Sequence, residues 1–199
     1  LGNTERIQHL IQKNALTLHR GDVTDTSSIN RIVTSLLPDE IYHFASQSHV
    51  GESFFQPEYT IDSVGLSTLR FLETLRHIRK PIKFYQASSS EMFGNSQPPP
   101  QNENTPFRPA SPYAIGKVMA HQATRHYREA YGMFAVGGIL FNHESPRRGE
   151  EFVTRKITST IAKITAGLAK EVVLGNLAAK RDWGYAPEYM EAIWKIMQQ

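Results

Sequence analysis

Tyr113 and Lys117 stand four residues apart in the stretch SPYAIGK, residues 111–117. On a helix that spacing puts a phenol and an ammonium one turn apart on the same face. A nearby cation favours the phenolate, so such a tyrosine is more acidic than an ordinary phenol. No other tyrosine in the chain has a lysine four residues later. The local sequence also starts a helix there, because Ser111 can accept from a free backbone N–H of the first turn and Pro112 suits the first helical position. A second group of chemically able residues lies in QASSSEMFG, residues 86–94, with three serine hydroxyls and Glu91. A carboxylate beside hydroxyls could move protons. Serines and a glutamate at a strand-to-helix junction could equally cap the next turn, and the residues by themselves leave both readings open.

The elements that must position these groups follow from hydrophobic periodicity. Strands are expected at 15–22, 40–46, 82–88, 134–142 and 171–176, and helices at 26–37, 60–78, from Pro112 onward, 155–169 and 188–199. A polar, proline-rich loop over 94–111 precedes the Pro112 helix. Strand–helix alternation of this kind predicts an α/β fold, a doubly wound parallel sheet of Rossmann-like type, because parallel neighbours need crossovers and helices supply them. Ligands of such sheets gather at the carboxyl ends of the strands. The expected ends read GDVTD, FASQSHVG, QASSSEMFG and FNHESPRRG, all small, polar and rich in hydroxyls or charge.

Composition narrows the function classes. The chain has 199 residues, 40% hydrophobic and 21% charged, which is ordinary globular material with enough apolar content for one sizeable core. The absence of cysteine excludes disulfides, thiol nucleophiles and Cys-ligated metal sites within it. Eight histidines show no metal-ligand spacing, so no metal is expected. A net charge of +3 with no arginine-rich run argues against nucleic acid but suits an anionic small molecule. No run of 18 apolar residues could span a bilayer and residues 1–16 lack the order of a signal peptide, so no membrane partner and a cytoplasmic location are expected.

QASSSEMFG, SPYAIGK, ILFNHESPRRG, FVTRKI and LGNLAAKRDWGYAPEYMEA together resemble the GDP-mannose 4,6-dehydratase family of the extended short-chain dehydrogenase/reductase superfamily, along the whole chain. The resemblance implies NADP-dependent dehydration of GDP-mannose by internal hydride transfer. It assigns Tyr113 as base toward the sugar 4-hydroxyl. Lys117 lowers the tyrosine pKa and holds the nicotinamide ribose, Ser89 orients the 4-oxygen where the dehydratases usually carry threonine, and Glu91 acts as the C5 base. It implies cofactor contacts from Asp22, Val23, Phe44, Ala45, Ser46, Gln47, Ser48, Tyr59, Lys117, His143 and Arg148, and substrate contacts from Asn142, Lys156, Asn176 and Arg181. From the residues alone, Asp22 reads as a turn or cap residue, while Arg148 beside Arg147 could equally be a solvated charge pair and Lys156 and Arg181 could equally be surface charges.

The thirteen glycines contain no G-x-G-x-x-G or G-x-x-G-x-x-G, whereas the resemblance implies a glycine-rich phosphate loop ahead of residue 1 and a further substrate-binding segment beyond residue 199. The expected organisation is therefore one NADP-binding Rossmann-like domain over 1–199, incomplete at both ends, with a substrate-binding region starting at about 143. Two alternatives stay open: a related nucleotide-sugar epimerase or 4-keto reductase, which would keep Tyr113 and Lys117 without needing Glu91, and a non-catalytic fragment. The resemblance also implies a homodimer or homotetramer packed through the helices at 60–78 and from Pro112. There Met119, Ala123 and Tyr127 form an apolar stripe that more often belongs to a core.

Overall fold

The computed structural model describes residues 4–94 and 100–199, so residues 95–99 of the proline-rich loop lie outside the described residues. The chain falls into two compact units, one over 10–140 with 197–199 and the other over 141–196 with 4–9. A 3-10 turn at Glu5–Ile7 leads into the short helix α1 (Gln8–Gln12).

The first unit is built on a three-stranded parallel sheet, β1 (Glu40–His43), β2 (Lys83–Ser89) and β3 (Ala135–Leu140), with β2 in the centre. The crossovers are helical. α2 (Thr26–Leu36) precedes β1, and Asp25 opens it by accepting the Ser27 N–H at 2.9 Å. Between β1 and β2 come α3 (Val50–Ser53), α4 (Pro57–Ile61), a π-helical turn at Asp62–Leu66 and α5 (Ser67–Arg76). The long α6 (Pro112–Tyr131) joins β2 to β3. Ile29 and Val33 of α2, Leu72 and Leu75 of α5, and Tyr127 of α6 close over Phe84 and Ala135 to form the core. Of the stripe expected at an interface, Tyr127 is in the core, while Ala123 and Met119 are half-buried, Ala123 packed against that core and Met119 beside Gly65.

The helix expected at 60–78 begins at Pro57 and is interrupted by the π turn. Two glycines meet at that turn. A Cβ on Gly65 would lie 2.8 Å from the Met119 sulfur, and one on Gly116 would lie 3.1 Å from Val64. Their missing side chains let α6 settle against the turn, which fixes the depth at which α6 presents its first turns.

Two expected strands are not strands. Residues 15–22 and 171–176 form no ladder. Backbone groups in a strand need a neighbouring strand to pair with, and periodicity cannot supply one; β1 is the edge of its sheet and pairs with β2 alone. The strand expected at 134–142 divides because it changes partner: β3 pairs with β2 as far as Leu140, and β4 (Asn142–Glu144) pairs in a separate sheet with β5 (Trp183–Tyr185).

The second unit contains that two-stranded parallel sheet, α7 (Val153–Thr165) in place of the helix expected at 155–169, and α8 (Ala186–Met197), which extends to the first unit's boundary. His143 stacks on Tyr189 with ring centroids 5.0 Å apart.

Candidate active site

β2 delivers Ser88 and Ser89 at its carboxyl end, and the chain turns at once into a 3-10 turn, Ser90–Met92. Ser89 Oγ accepts the Glu91 N–H at 3.2 Å, so the capping role is real and leaves the hydroxyl hydrogen available for another partner. Glu91 is half-buried. The turn packs against α6. Ser111 opens α6 by accepting the Ala114 N–H at 3.1 Å, with Pro112 in the first turn. Tyr113 and Lys117 then sit one turn apart, only 8% and 4% exposed.

Lys117 Nζ donates to the Ala87 carbonyl at 2.7 Å and lies 5.5 Å from the centroid of the Tyr113 ring. The ammonium is thus tied to β2 two residues before Ser89, and the tyrosine, the lysine and the Ser89–Glu91 turn gather at one strand end. Burial pulls the Lys117 pKa down from 10.5 to about 8, which still leaves it mostly charged at neutral pH. His43, on β1, is held neutral, its pKa pushed to about 3 by burial and secondarily by the Lys117 charge. Its Nε2 is 3.0 Å from Ser67 Oγ, whose own hydrogen goes to the Ser63 carbonyl at 2.7 Å, so the imidazole donates to the serine. The positive charge in this buried region therefore stays on Lys117.

The same helix face carries His121 as a further polar group. His121, one turn beyond Lys117, lies 2.8 Å from Ser88 Oγ through Nδ1, and Phe107 meets its ring edge-on at 5.4 Å. Sequence reading assigned neither His121 nor Gln86. The spacing 113, 117, 121 marks the first, and the second stands in QASSSEMFG one residue before the carbonyl that holds Lys117.

The remaining expected cofactor residues of this unit are placed as follows. Asp22 Oδ1 accepts both the backbone N–H and the hydroxyl of Thr24 at 2.8 Å, and these bonds lower its pKa. The Val23 carbonyl accepts from Arg70 at 3.4 Å, and Arg70 pairs with Asp62 at 2.6 Å, so this segment is fastened to the π turn. Phe44 follows β1 and is exposed on one side, its ring 5.8 Å from that of Tyr85. Ala45 and Ser48 are exposed and Ser46 is half-buried, while Gln47 Oε1 accepts the His49 N–H at 2.5 Å. Tyr59 lies exposed on α4.

In the second unit Asn142 and His143 lie on β4. Arg148 is paired with Glu144 at 3.1 Å, its guanidinium 3.6 Å from the Phe152 ring centroid, so it is an ordered, half-buried cation and not a solvated one. Lys156, in α7, is exposed. Asn176 turns the chain by accepting the Ala178 N–H at 3.0 Å, and Arg181 is exposed. Among the described residues no group of three His, Asp or Glu side chains could hold a metal ion, and no helix is long and apolar enough to cross a membrane.

A parallel sheet with helical crossovers, whose central strand end meets a helix-borne tyrosine–lysine pair, defines a Rossmann-like protein of the short-chain dehydrogenase/reductase type. Comparison with known proteins narrows this. The family profile described as GDP-mannose 4,6 dehydratase matches residues 1–199, and the chain belongs to that family. It is 53% identical over 207 residues to GDP-mannose 4,6 dehydratase 2 of Arabidopsis thaliana, covering 99% of this chain and 55% of that protein. It is 50% identical over 204 residues to the GDP-mannose 4,6-dehydratase of Vibrio cholerae, covering 99% and 55%. The chain thus spans about half the length of these relatives. Among solved structures, RMD from Pseudomonas aeruginosa complexed with NADPH superposes with a TM-score of 0.84 at 25% identity, over 96% of this chain and 67% of that one. A DesIV double mutant from Streptomyces venezuelae, a dTDP-glucose 4,6-dehydratase with NAD and DAU bound, superposes at 0.87 with 21% identity over 100% and 59%, which shows the shared fold.

Proposed function

We propose that the complete protein carrying this chain dehydrates GDP-mannose to GDP-4-keto-6-deoxymannose with NADP as a bound hydride carrier. One observation carries the reading: a buried, charged Lys117 held by the Ala87 carbonyl beside Tyr113, at the strand end that turns through Ser89 and Glu91. The names of the relatives support the substrate, and the NADPH in the RMD structure supports the cofactor. Lys117 also suits a dinucleotide, since an ammonium fixed at a strand end can meet a ribose hydroxyl there.

Each residue has one task. Tyr113, acidified by Lys117, takes the 4-hydroxyl proton while Ser89 donates a hydrogen bond to the 4-oxygen. A bound NADP would supply the hydride acceptor for C4 and the hydride donor for C6. Glu91 removes the C5 proton, which is acidic only once C4 is a ketone, and passes it to the departing 6-hydroxyl so that water leaves. The proton that Tyr113 took from the 4-hydroxyl balances the one restored to C5, and loss of one water is the net change. In the first unit Asp22, Val23, the 44–48 loop and Tyr59 complete the cofactor contacts. The second unit begins the substrate-binding region, where Asn142, His143, Arg148, Lys156, Asn176 and Arg181 keep the roles that rest on family resemblance. The same proposal makes the complete protein a cytoplasmic homodimer or homotetramer, which light scattering would test.

GDP-mannose deuterated at C4 is the test. The reading predicts deuterium at C6 of a 4-keto-6-deoxy product. Deuterium retained at C4 of an epimerised hexose would instead make the protein an epimerase.

A further inference from the structure

The carbonyl that holds Lys117 is itself held. The β1–β2 ladder ends at the pairing of His43 with Gln86, so Ala87 is the first β2 residue past it. Its carbonyl accepts from Lys117 Nζ at 2.7 Å and also from the Gln86 side-chain Nε2 at 3.1 Å, one donor for each lone pair. Because a carbonyl can only accept, the Gln86 amide must turn its nitrogen that way, and its oxygen then faces Thr68 Oγ1 at 2.8 Å, which donates. Thr68, on α5, is in turn 3.2 Å from the Val64 carbonyl of the π turn. All of this is closed to solvent, with Thr68 at 0% exposure and Gln86 at 1%. A buried amide that served packing alone could be an apolar side chain of similar size at no loss; here each polar atom of Gln86 has a partner, and one partner is the acceptor for Lys117.

We propose that Gln86, braced by Thr68, is a positioning residue for Lys117. The inference rests on the role given to Lys117 above. An ammonium on a flexible four-carbon stem goes where its acceptor points. The second donor keeps the Ala87 carbonyl from turning as the strand end moves, and so keeps the ammonium at its station beside Tyr113. The chain Thr68–Gln86–Ala87–Lys117 links α5 to the lysine of the pair through buried hydrogen bonds.

A double-mutant cycle in the complete protein tests this. Gln86→Met fills similar volume without the amide. It is expected to slow single-turnover hydride transfer from GDP-mannose about tenfold, in line with the loss of one ordered hydrogen bond, while GDP-mannose affinity changes by less than about twofold. In a Lys117→Met background the same substitution should change the hydride step by no more than about twofold, because residues acting through one partner are not additive. The unfolding equilibrium, read by denaturant titration without cofactor, should show the same coupling at about tenfold. Thr68→Val should slow the hydride step in the same direction, and Thr68→Ser, which keeps the hydroxyl, should retain more of the rate than Thr68→Val. Equal effects of Gln86→Met in both backgrounds, in rate and in unfolding, would overturn the proposal. If Lys117→Met alone left hydride transfer at the parental rate, the role of Lys117 would fall instead, and the unfolding cycle would still decide whether Gln86 orders Lys117.

Discussion

Replacing Lys117 with methionine should stabilise the protein at pH 7 and lose most of that advantage at pH 10. Lys117 is 4% exposed, and burial lowers its pKa from 10.5 to about 8. Between those values the unfolded chain binds a proton that the folded chain does not, so the parent gains stability as pH rises through this window. Each tenfold loss of proton affinity on folding is worth about 1.4 kcal/mol. At pH 7 the buried ammonium therefore opposes folding by about 3 kcal/mol relative to the neutral amine, and at pH 10 by roughly 1 kcal/mol. Methionine, of similar length and without charge, has no such dependence. The stability difference between variant and parent should shrink by roughly 2 kcal/mol from pH 7 to pH 10. Denaturant titrations of both proteins at the two pH values measure it; groups remote from Lys117 cancel in the difference, and making the comparison in a Tyr113→Phe background removes the one phenol beside the ammonium. If the two proteins moved in parallel, Lys117 would have the same proton affinity folded and unfolded, and the buried cation beside Tyr113 would not exist in the form described.

Tyr113→Phe should abolish the first hydride transfer, lowering turnover by about 10² to 10⁴ for loss of the base, with no reduced nicotinamide formed in a single-turnover absorbance trace. Tyr85 is fully buried and its hydroxyl has no hydrogen-bond partner among the described residues; Tyr85→Phe should raise the unfolding free energy by about 1 kcal/mol, since it removes an unsatisfied buried polar group, and a calorimetric melt would show it. Ser111→Ala removes the side-chain acceptor for the Ala114 N–H and should cost about 1 kcal/mol, with a further loss of activity because the same turn carries Tyr113.

The helices were the readable part of this sequence, because a helix satisfies its own backbone and announces itself by its caps. Asp25, Pro57, Ser111 and Pro112 each stand in the first turn or at the cap of a helix. The central strand was legible in extent, expected at 82–88 and found at Lys83–Ser89. Strands that depend on a distant partner were not: nothing in ALTLHRGD or EVVLGN says whether a neighbour is present to pair with. The tyrosine–lysine pair was legible from spacing, and its meaning from the family motifs around it. What spacing cannot show is a contact across the fold, such as Lys117 on the Ala87 carbonyl, Thr68 on Gln86 or Gly65 facing Gly116. Arg148 illustrates the limit, because Arg147 beside it in sequence says nothing of Glu144 and Phe152, to which the structure ties it.

Glu91→Gln in the complete protein tests the central claim most directly. The amide is nearly isosteric with the acid but cannot take the C5 proton. Followed in a single turnover with GDP-mannose, the variant should form reduced nicotinamide at the parental rate, because Tyr113 and Lys117 are intact, and then stall before elimination, with product appearing about 10² to 10⁴ more slowly. Product formation at the parental rate would contradict the account, leaving Glu91 as a member of the Ser89-capped turn and nothing more.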